Sequence, residues 1–256
     1  MKIISSFELI KNSFQFLYQN IAKVTIIVLA TYIPVMIFSK YLNDDFIIIE
    51  LILVMDKITP IIVSLLLVIF NVFATYFGLK ILKEKNKINI SKRNIKFAIK
   101  ASVPFYLIYS LISLVLNLTK SLEAPKAIYM SINIANTIII LVLNYTGYLI
   151  TQTSLMYCTN FSISWKKSIE LMKKNRDTSL ALFILYGFVI LLVTLPTSLL
   201  LNLIRLENVN NVVMVIILSL ITGLVQFGNI YSKCEYLIMV DDIKVDENSH
   251  LTIAST

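Results

Sequence analysis

The chain has few of the residues on which catalysis, metal binding and disulfide bonding depend. It contains one histidine, two cysteines, five glycines and five prolines in 256 residues. His250 lies in the polar C-terminal segment, and Cys158 and Cys234 have no metal-ligand spacing, so we expect no metal site and, in a reducing compartment, no disulfide. The sequence also has no phosphate-binding loop, dinucleotide fingerprint or nucleophile elbow. It therefore predicts a protein that is not an enzyme and that carries no cofactor.

Charged residues are also scarce, because they make up 15% of the chain, whereas hydrophobic residues make up 57%. Soluble domains average about 25% charged and roughly 45–50% apolar residues. The mean hydropathy of +0.81 is typical of a polytopic membrane protein. We assign the net charge of +8 to lysines and arginines in loops beside anionic lipid, so nucleic-acid binding is not expected.

Six apolar stretches are predicted to cross the hydrocarbon layer, which takes about 20 residues of α-helix. They lie at residues 24–38 (extended back to Ile21), 58–82, 101–118, 127–158, 178–204 and 212–231. The fourth is longer than needed, so we expect it to tilt or to continue past the bilayer. Pro34 is expected to kink the first span, and Pro60 to lie in the first turn of the second. The predicted fold is an all-α, six-span transmembrane helical bundle.

Several shorter segments are predicted to lie at the membrane surface. The apolar run 46–55 is too short to span and holds Glu50 in its middle, so we expect an interfacial or re-entrant helix on the outer side. Three amphipathic segments are expected to be interfacial helices. The first has a capping box at Ser5 and Glu8, the second has Ser91 as its expected N-cap, and the third begins near Ser164.

Each amphipathic segment precedes a pair of spans, which predicts an internal repeat within a single membrane domain of residues 1–256. The units are residues 7–83, 91–158 and 164–240. Because each unit holds an even number of spans, the repeats would be parallel, related by an axis along the membrane normal. The alternative stays open that any six-span protein with basic inner loops shows this pattern.

Basic residues are concentrated on one side of the predicted topology. Eighteen of the 23 lysines and arginines fall on the side of the two termini, and five fall on the other side. By the positive-inside rule, both termini are predicted to lie in the cytoplasm and the protein in the cell membrane.

Amides inside the spans are the candidates for a functional site. In hydrocarbon they commonly hydrogen-bond between helices, at about 0.6 to 2 kcal/mol each. Alternatively, they line a polar cavity at the centre of the bundle. Asn136 and Asn144 lie about two turns apart, and Gln226 and Asn229 lie three residues apart, so each pair shares a helix face. These four residues are the predicted cavity lining.

The charged residues have two expected roles. Lysines of the second and third amphipathic segments are candidates for docking a partner or anionic lipid: Lys92, Lys96, Lys100, Lys166, Lys167, Lys173 and Lys174. No charged residue is placed deep in a span, which disfavours proton- or ion-coupled transport. The nearest are Glu50, Lys233 and Glu235, all toward the boundaries.

Two stretches carry a resemblance to a known group of proteins. They are ISWKKSIELMKKN at residues 163–175 and FELIKNSFQFLYQN at residues 7–20, each followed by an apolar helix. The chain resembles bacterial six-span proteins that are similar to the membrane domain fused to some glycerophosphodiester phosphodiesterases. The hydrolase domain is absent, so the resemblance implies a membrane module and not a reaction.

Four functions are compatible with this sequence. The favoured one is a non-enzymatic membrane subunit or accessory of a transport or envelope system, which binds lipid and a cytoplasmic ATPase or second membrane subunit through its basic inner segments. The alternative is a stand-alone permease for a small molecule or lipid. A self-protection protein against membrane-active peptides is a further alternative. A membrane-embedded enzyme acting on lipids is disfavoured because it needs convergent acids or histidines.

Overall fold

The computed structural model describes residues 5–43, 49–86, 90–121, 126–204 and 209–241. These residues form α-helices and no strand. The helices are α1 (Ser6–Gln19), α2 (Ile21–Thr31), α3 (Ile33–Asn43), α4 (Ile49–Asn86), α5 (Asn94–Ser121), α6 (Lys126–Thr146), α7 (Ile150–Tyr157), α8 (Phe161–Lys174), α9 (Arg176–Leu203) and α10 (Val209–Asp241). The prediction of an all-α fold is confirmed.

Six helical segments are long and apolar enough to cross a membrane, as predicted. They are Ile21–Lys40, Ile61–Leu82, Asn94–Ile112, Met130–Tyr157, Arg176–Leu201 and Asn210–Val240. The chain is therefore a multi-pass integral membrane protein. The first span is interrupted at Tyr32, between α2 and α3. Because Pro34 lacks the N–H that would bond to the carbonyl of Ala30, this break is the kink that the sequence predicts.

Helix α1 begins at the predicted capping box. The Ser5 N–H donates to Glu8 Oε2 at 3.0 Å, and the Glu8 N–H donates to Ser5 Oγ at 3.2 Å. One face of α1 packs against α10, where Asn12 Nδ2 donates to Glu235 Oε1 at 2.8 Å. Its other side exposes Phe7, Phe14 and Tyr18. One face of α1 therefore packs against the bundle, and the apolar side chains of its other face are expected to contact lipid.

The second amphipathic segment is not a separate helix, contrary to the prediction. Helix α5 begins at Asn94 and runs without a break into the third span. The Ser91 side chain accepts from the Arg93 N–H at 3.2 Å, three residues before the helix begins, so Ser91 is not its N-cap. Within the described residues, only α1 and α8 are separate amphipathic helices.

The separate outer helix predicted within residues 46–55 is also wrong for the part that the structure describes. Residues from Ile49 onward belong to α4, a single helix of 38 residues. Asp56 and Lys57 are charged, but neither residue type breaks a helix. Pro60 therefore lies inside α4 and not in its first turn. Residues 46–48 lie outside the described residues.

The fourth span, Met130–Tyr157, is not one continuous helix. Its expected tilt, or its continuation past the bilayer, stays a prediction. Helix α6 ends at Thr146, residues 147–149 form a turn, and α7 starts at Ile150. A Cβ on Gly147 would lie 2.2 Å from Cε2 of Phe105, so the absence of a side chain allows this ring to press against the turn. Helix α7 ends at Tyr157, and the next residue, Cys158, has a left-handed backbone with φ of 55°.

Helix α10 forms the centre of the bundle and packs against α1, α2, α3, α4, α7, α8 and α9. Two glycines allow the close approach. A Cβ on Gly223 would lie 2.5 Å from Cγ1 of Val28, and one on Gly228 would lie 2.9 Å from the Tyr186 hydroxyl. By contrast, α6 and α9 leave many apolar side chains exposed on the outside of the bundle, where lipid is expected to cover them.

Candidate functional site

A cavity of about 690 Å³ lies between α4, α5, α6, α9 and α10. Its volume is in the range of about 300–1,000 Å³ that is usual for small-molecule sites. Its lining residues come from all five helices and from the two breaks at Tyr32 and Tyr148. Aromatic side chains form much of the wall: Tyr32, Phe70, Phe105, Tyr106, Tyr109, Tyr148, Phe183 and Tyr186.

Three of the four amides selected from the sequence line this one cavity. They are Asn144 on α6 and Gln226 and Asn229 on α10. Asn229 Oδ1 accepts from the Tyr148 hydroxyl at 3.4 Å, whereas the side chains of Asn144 and Gln226 have no hydrogen bond to any residue that the structure describes. The side chain of Asn136 lies outside the described residues. Helical packing has therefore brought together amides from two spans far apart in the sequence.

Lys233 is the residue that the sequence left at a boundary and that the structure places in the cavity wall. Its Nζ lies over the Tyr148 ring, 4.0 Å from the ring centroid. The apolar span of α10 continues past it to Val240. The sequence contains a signal for this position: seven mostly apolar residues follow Lys233, which indicates that the lysine lies within the span and not in the loop after it.

A smaller polar chamber of about 80 Å³ adjoins the cavity beside Lys233. It is lined by Asn71, Asn144, Thr151 and Gln152 together with the aromatic rings near the α6–α7 turn. Thr151 and Gln152 reach it because α7 is buried along its first six residues. Their outer contacts hold them in place: Gln152 Nε2 donates to Thr75 Oγ1 at 3.3 Å, and the Thr151 and Ser102 hydroxyls are 2.9 Å apart.

The opposite end of the cavity is apolar and open to the outside of the bundle. Leu141 on α6 and Ile184 and Leu191 on α9 line the cavity, and their exposed fractions are 52%, 58% and 54%. Gly187, also in the wall, has no atom within 4 Å of where a Cβ would lie. The mouth therefore lies between α6 and α9 on the apolar exterior, and the cavity runs from there to a polar floor.

The seven lysines proposed for docking lie on two helices that pack against each other, α5 and α8, and on the residues just before α5. Six of them are exposed: Lys92, Lys96, Lys100, Lys166, Lys173 and Lys174. Lys167 is half-buried, with its Nζ 5.5 Å from the centroid of the Tyr157 ring. Their role in docking stays a prediction.

Metal ligands do not converge in the part of the chain with described coordinates, where no three His, Cys, Asp or Glu side chains form a group that could hold an ion. Cys158 and Cys234 are free thiols. In comparisons with protein-family models, curated proteins and solved structures, the chain has no match. The resemblance to a membrane domain of phosphodiesterases thus stays a prediction, and a function must be argued from the cavity.

Proposed function

We propose that this protein binds a small amphiphilic molecule inside the membrane and transfers it between the bilayer and its central cavity, as a permease or lipid-handling protein. The observation that supports this proposal is that one cavity combines an amide-rich floor with an apolar mouth on the exposed apolar side of α6 and α9. An amphiphile has the same division, because its head needs hydrogen bonds and its tail is stable in hydrocarbon.

The free amides strengthen this proposal. An amide without a hydrogen bond in an apolar environment costs about 1–3 kcal/mol by mutational data, so intramembrane amides usually bond to a neighbouring helix. Asn144 and Gln226 instead face open volume, with no bond to a described residue. Water or a ligand must satisfy them, which favours a binding role over a purely structural one.

The membrane orientation belongs to the same proposal. The excess of basic residues at the ends of α4, α5, α8 and α9 supports a cytoplasmic location for both termini. The polar floor of the cavity would then lie toward the cytoplasmic side of the cell membrane, because Lys233 is seven residues from the terminal-side end of its span at Val240.

Blocking the mouth of the cavity tests the proposal. Gly187→Trp places a large side chain in the cavity wall at a position without neighbouring atoms, and Leu195→Trp adds bulk on the exposed side of the same helix. Purified protein in nanodiscs is titrated with dansyl-labelled undecanoate and dansyl-labelled undecanol. We expect the wild type and Leu195→Trp to bind at least one probe and Gly187→Trp to lose most of that binding. Equal binding by all three proteins, or no binding by any, would contradict the proposal.

A second function, that of a membrane subunit for a cytoplasmic ATPase, is favoured by the neighbouring basic surfaces of α5 and α8. We would purify the tagged protein from its native membrane in mild detergent and identify accompanying proteins by mass spectrometry. A stoichiometric ATPase that is lost when Lys92, Lys96 and Lys100 are replaced by Glu would support this role. Recovery of the protein alone, or with lipid only, would contradict the role as an ATPase subunit and would favour the stand-alone permease.

A further inference from the structure

We infer that the ligand of the cavity is an amphiphile with an anionic head group, a carboxylate or phosphate on an apolar tail, and that the Lys233 ammonium is the partner of that head group. This inference rests on the proposed function and adds the chemical class of the ligand. It follows from three features: the charge at the floor, the chamber beside it, and the apolar path that leads away from it.

The first feature is a cation without a carboxylate partner. Lys233 is the one charged residue among the described lining residues of the cavity and the chamber. No described carboxylate forms an ion pair with it, and its close contact is the face of the Tyr148 ring. A ring face offsets only part of what an ammonium loses when it leaves water. An anion beside Lys233 would offset the rest of the hydration free energy that the ammonium has lost.

The Lys233 side chain is half-buried, and its ammonium lies against the Tyr148 ring within the bundle. Lysines near the ends of spans usually stretch their stems so that the charge reaches water or lipid head groups. Lys233 instead lies in the walls of two adjoining spaces that share Asn71, Tyr106, Asn144 and Tyr148. Its position is therefore that of a lining group of a site.

The second feature is the chamber of about 80 Å³ beside Lys233, which has room for a few water molecules or for a head group of similar size. Amide and hydroxyl groups of Asn71, Asn144, Thr151 and Gln152 surround it. These groups can donate hydrogen bonds to oxygens that the ammonium does not reach. Hydrogen bonds to an ionised acceptor are about twice as strong as neutral ones.

The third feature is the direction of the cavity. From Lys233 it passes between aromatic rings to Leu141, Ile184 and Leu191 at the open mouth. Lys233 lies about 10 Å along the helix axis from the end of its span at Val240. An anionic head at this depth would be near the head groups of one leaflet, with its tail directed toward the mouth between α6 and α9.

A series of single-chain ligands with the same tail and different heads tests the inference on the unaltered protein. Hexadecanoate, hexadecyl phosphate, hexadecanol and hexadecylamine are titrated against wild-type protein in nanodiscs, with native mass spectrometry as the readout of bound ligand. We expect the two anions to bind about tenfold or more tightly than hexadecanol, and hexadecylamine to bind most weakly. Acetate and inorganic phosphate at millimolar concentration should not displace hexadecanoate.

Variants of Lys233 test whether this residue causes the preference for anionic ligands. Lys233→Met should abolish the preference for hexadecanoate over hexadecanol, whereas Lys233→Arg should keep the preference for the anions. Lys11→Met, which removes an exposed lysine of α1, should bind like the wild type.

The outcomes separate this inference from the proposed function. Equal affinity for hexadecanoate and hexadecanol, or tighter binding of hexadecylamine, would overturn the anionic head group but leave an amphiphile site. Displacement by acetate or phosphate alone would identify a small free anion and overturn the amphiphile class. Binding of none of the four ligands would overturn the proposed function itself.

Discussion

The amide side chains of the cavity floor differ in whether other residues of the protein provide their hydrogen bonds. Gln152 donates to Thr75 and Asn229 accepts from Tyr148, so these amides are part of the packing. Asn144 and Gln226 line the cavity and have no such bond within the described structure, so each is expected to reduce stability, and we propose that they bind the ligand. Sites that are arranged for a ligand commonly carry this cost.

The first prediction separates these two kinds of amide. Gln226→Leu removes a polar group that has no described partner, so the midpoint of thermal unfolding in detergent should stay or rise while binding of the dansyl probes falls. Asn229→Leu removes the acceptor of the Tyr148 hydroxyl and should lower stability by about 1–3 kcal/mol. A loss of stability in Gln226→Leu as large as that in Asn229→Leu would show that Gln226 is structural.

A second prediction concerns Gly147. The Cβ of Gly147→Ala would lie within 3 Å of three ring atoms of Phe105, so the ring must move into the cavity or the turn must shift. We expect a loss of about 1–3 kcal/mol, measured as thermal stability in detergent, together with weaker probe binding. Gly187→Ala is the matched control, because its Cβ meets no atom within 4 Å and alanine favours the helix.

A third prediction concerns Cys158, which has a left-handed backbone at the end of α7. Burial raises the pKa of its thiol, against an opposing effect of Arg93, so the side chain is neutral at pH 7 and its removal changes no charge. Cys158→Gly should raise stability by up to about 1 kcal/mol because glycine adopts this conformation without a Cβ clash. Cys158→Ala keeps the clash and should not; equal gains in both variants would contradict the backbone explanation.

At the scale of elements, α1 is a helix whose two faces have different neighbours. Phe16 stacks on Tyr231 of α10 with ring centroids 3.9 Å apart, and Ser13 hydrogen-bonds to the Tyr186 hydroxyl of α9. These contacts make α1 a structural part of the bundle. Its outer aromatic residues make no ring contact or hydrogen bond with another helix in the part of the chain that the structure describes, and they are expected to lie against lipid.

The corresponding prediction compares the two faces of α1. Phe16→Ala removes a ring that is 5% exposed and should cost about 3–5 kcal/mol, visible as a lower unfolding midpoint in detergent. Phe14→Ala, which removes a ring that is 43% exposed, should change stability by less than about 0.5 kcal/mol. Equal effects of the two substitutions would mean that α1 does not pack on α10 in the membrane.

At the scale of the whole molecule, the bundle is tightly packed at one end and open at the other. Buried residues cluster where α1, α7 and α8 meet the last third of α10, whereas the distal halves of α6 and α9 expose leucine and isoleucine. The packed end is also the end with the termini and most of the basic residues. We propose that this asymmetry places the polar floor of the cavity toward one side of the membrane.

The last prediction tests that orientation. Tags at the N- and C-termini should both resist protease added to intact cells and should both be digested after the membrane is made permeable, because most of the basic residues lie on their side and oppose translocation. A tag inserted in the segment 205–208 should show the reverse behaviour. Digestion of either terminal tag in intact cells would contradict the proposed topology.

The sequence by itself determined the membrane class, the six spans, the cap of α1 and the break at Tyr32. All of these depend on local properties, namely the length of apolar runs, capping residues and proline. It did not determine where helices continue or break between those signals. Helices α4 and α5 run through polar residues that do not disrupt a helix, whereas the fourth span breaks at residues 147–149, where the absence of a side chain on Gly147 allows the Phe105 ring to pack against the turn.

Only the tertiary structure showed that three of the four amides line one cavity. Helical spacing predicted that Gln226 and Asn229 share a face, but nearly every face of these spans is apolar, so the pattern does not say which face points inward. Packing around α10 brought both residues to the cavity that Asn144 lines, and it placed Lys233 there as well. A cavity depends on how several helices pack together, and residues distant in the sequence meet in it only after the chain has folded.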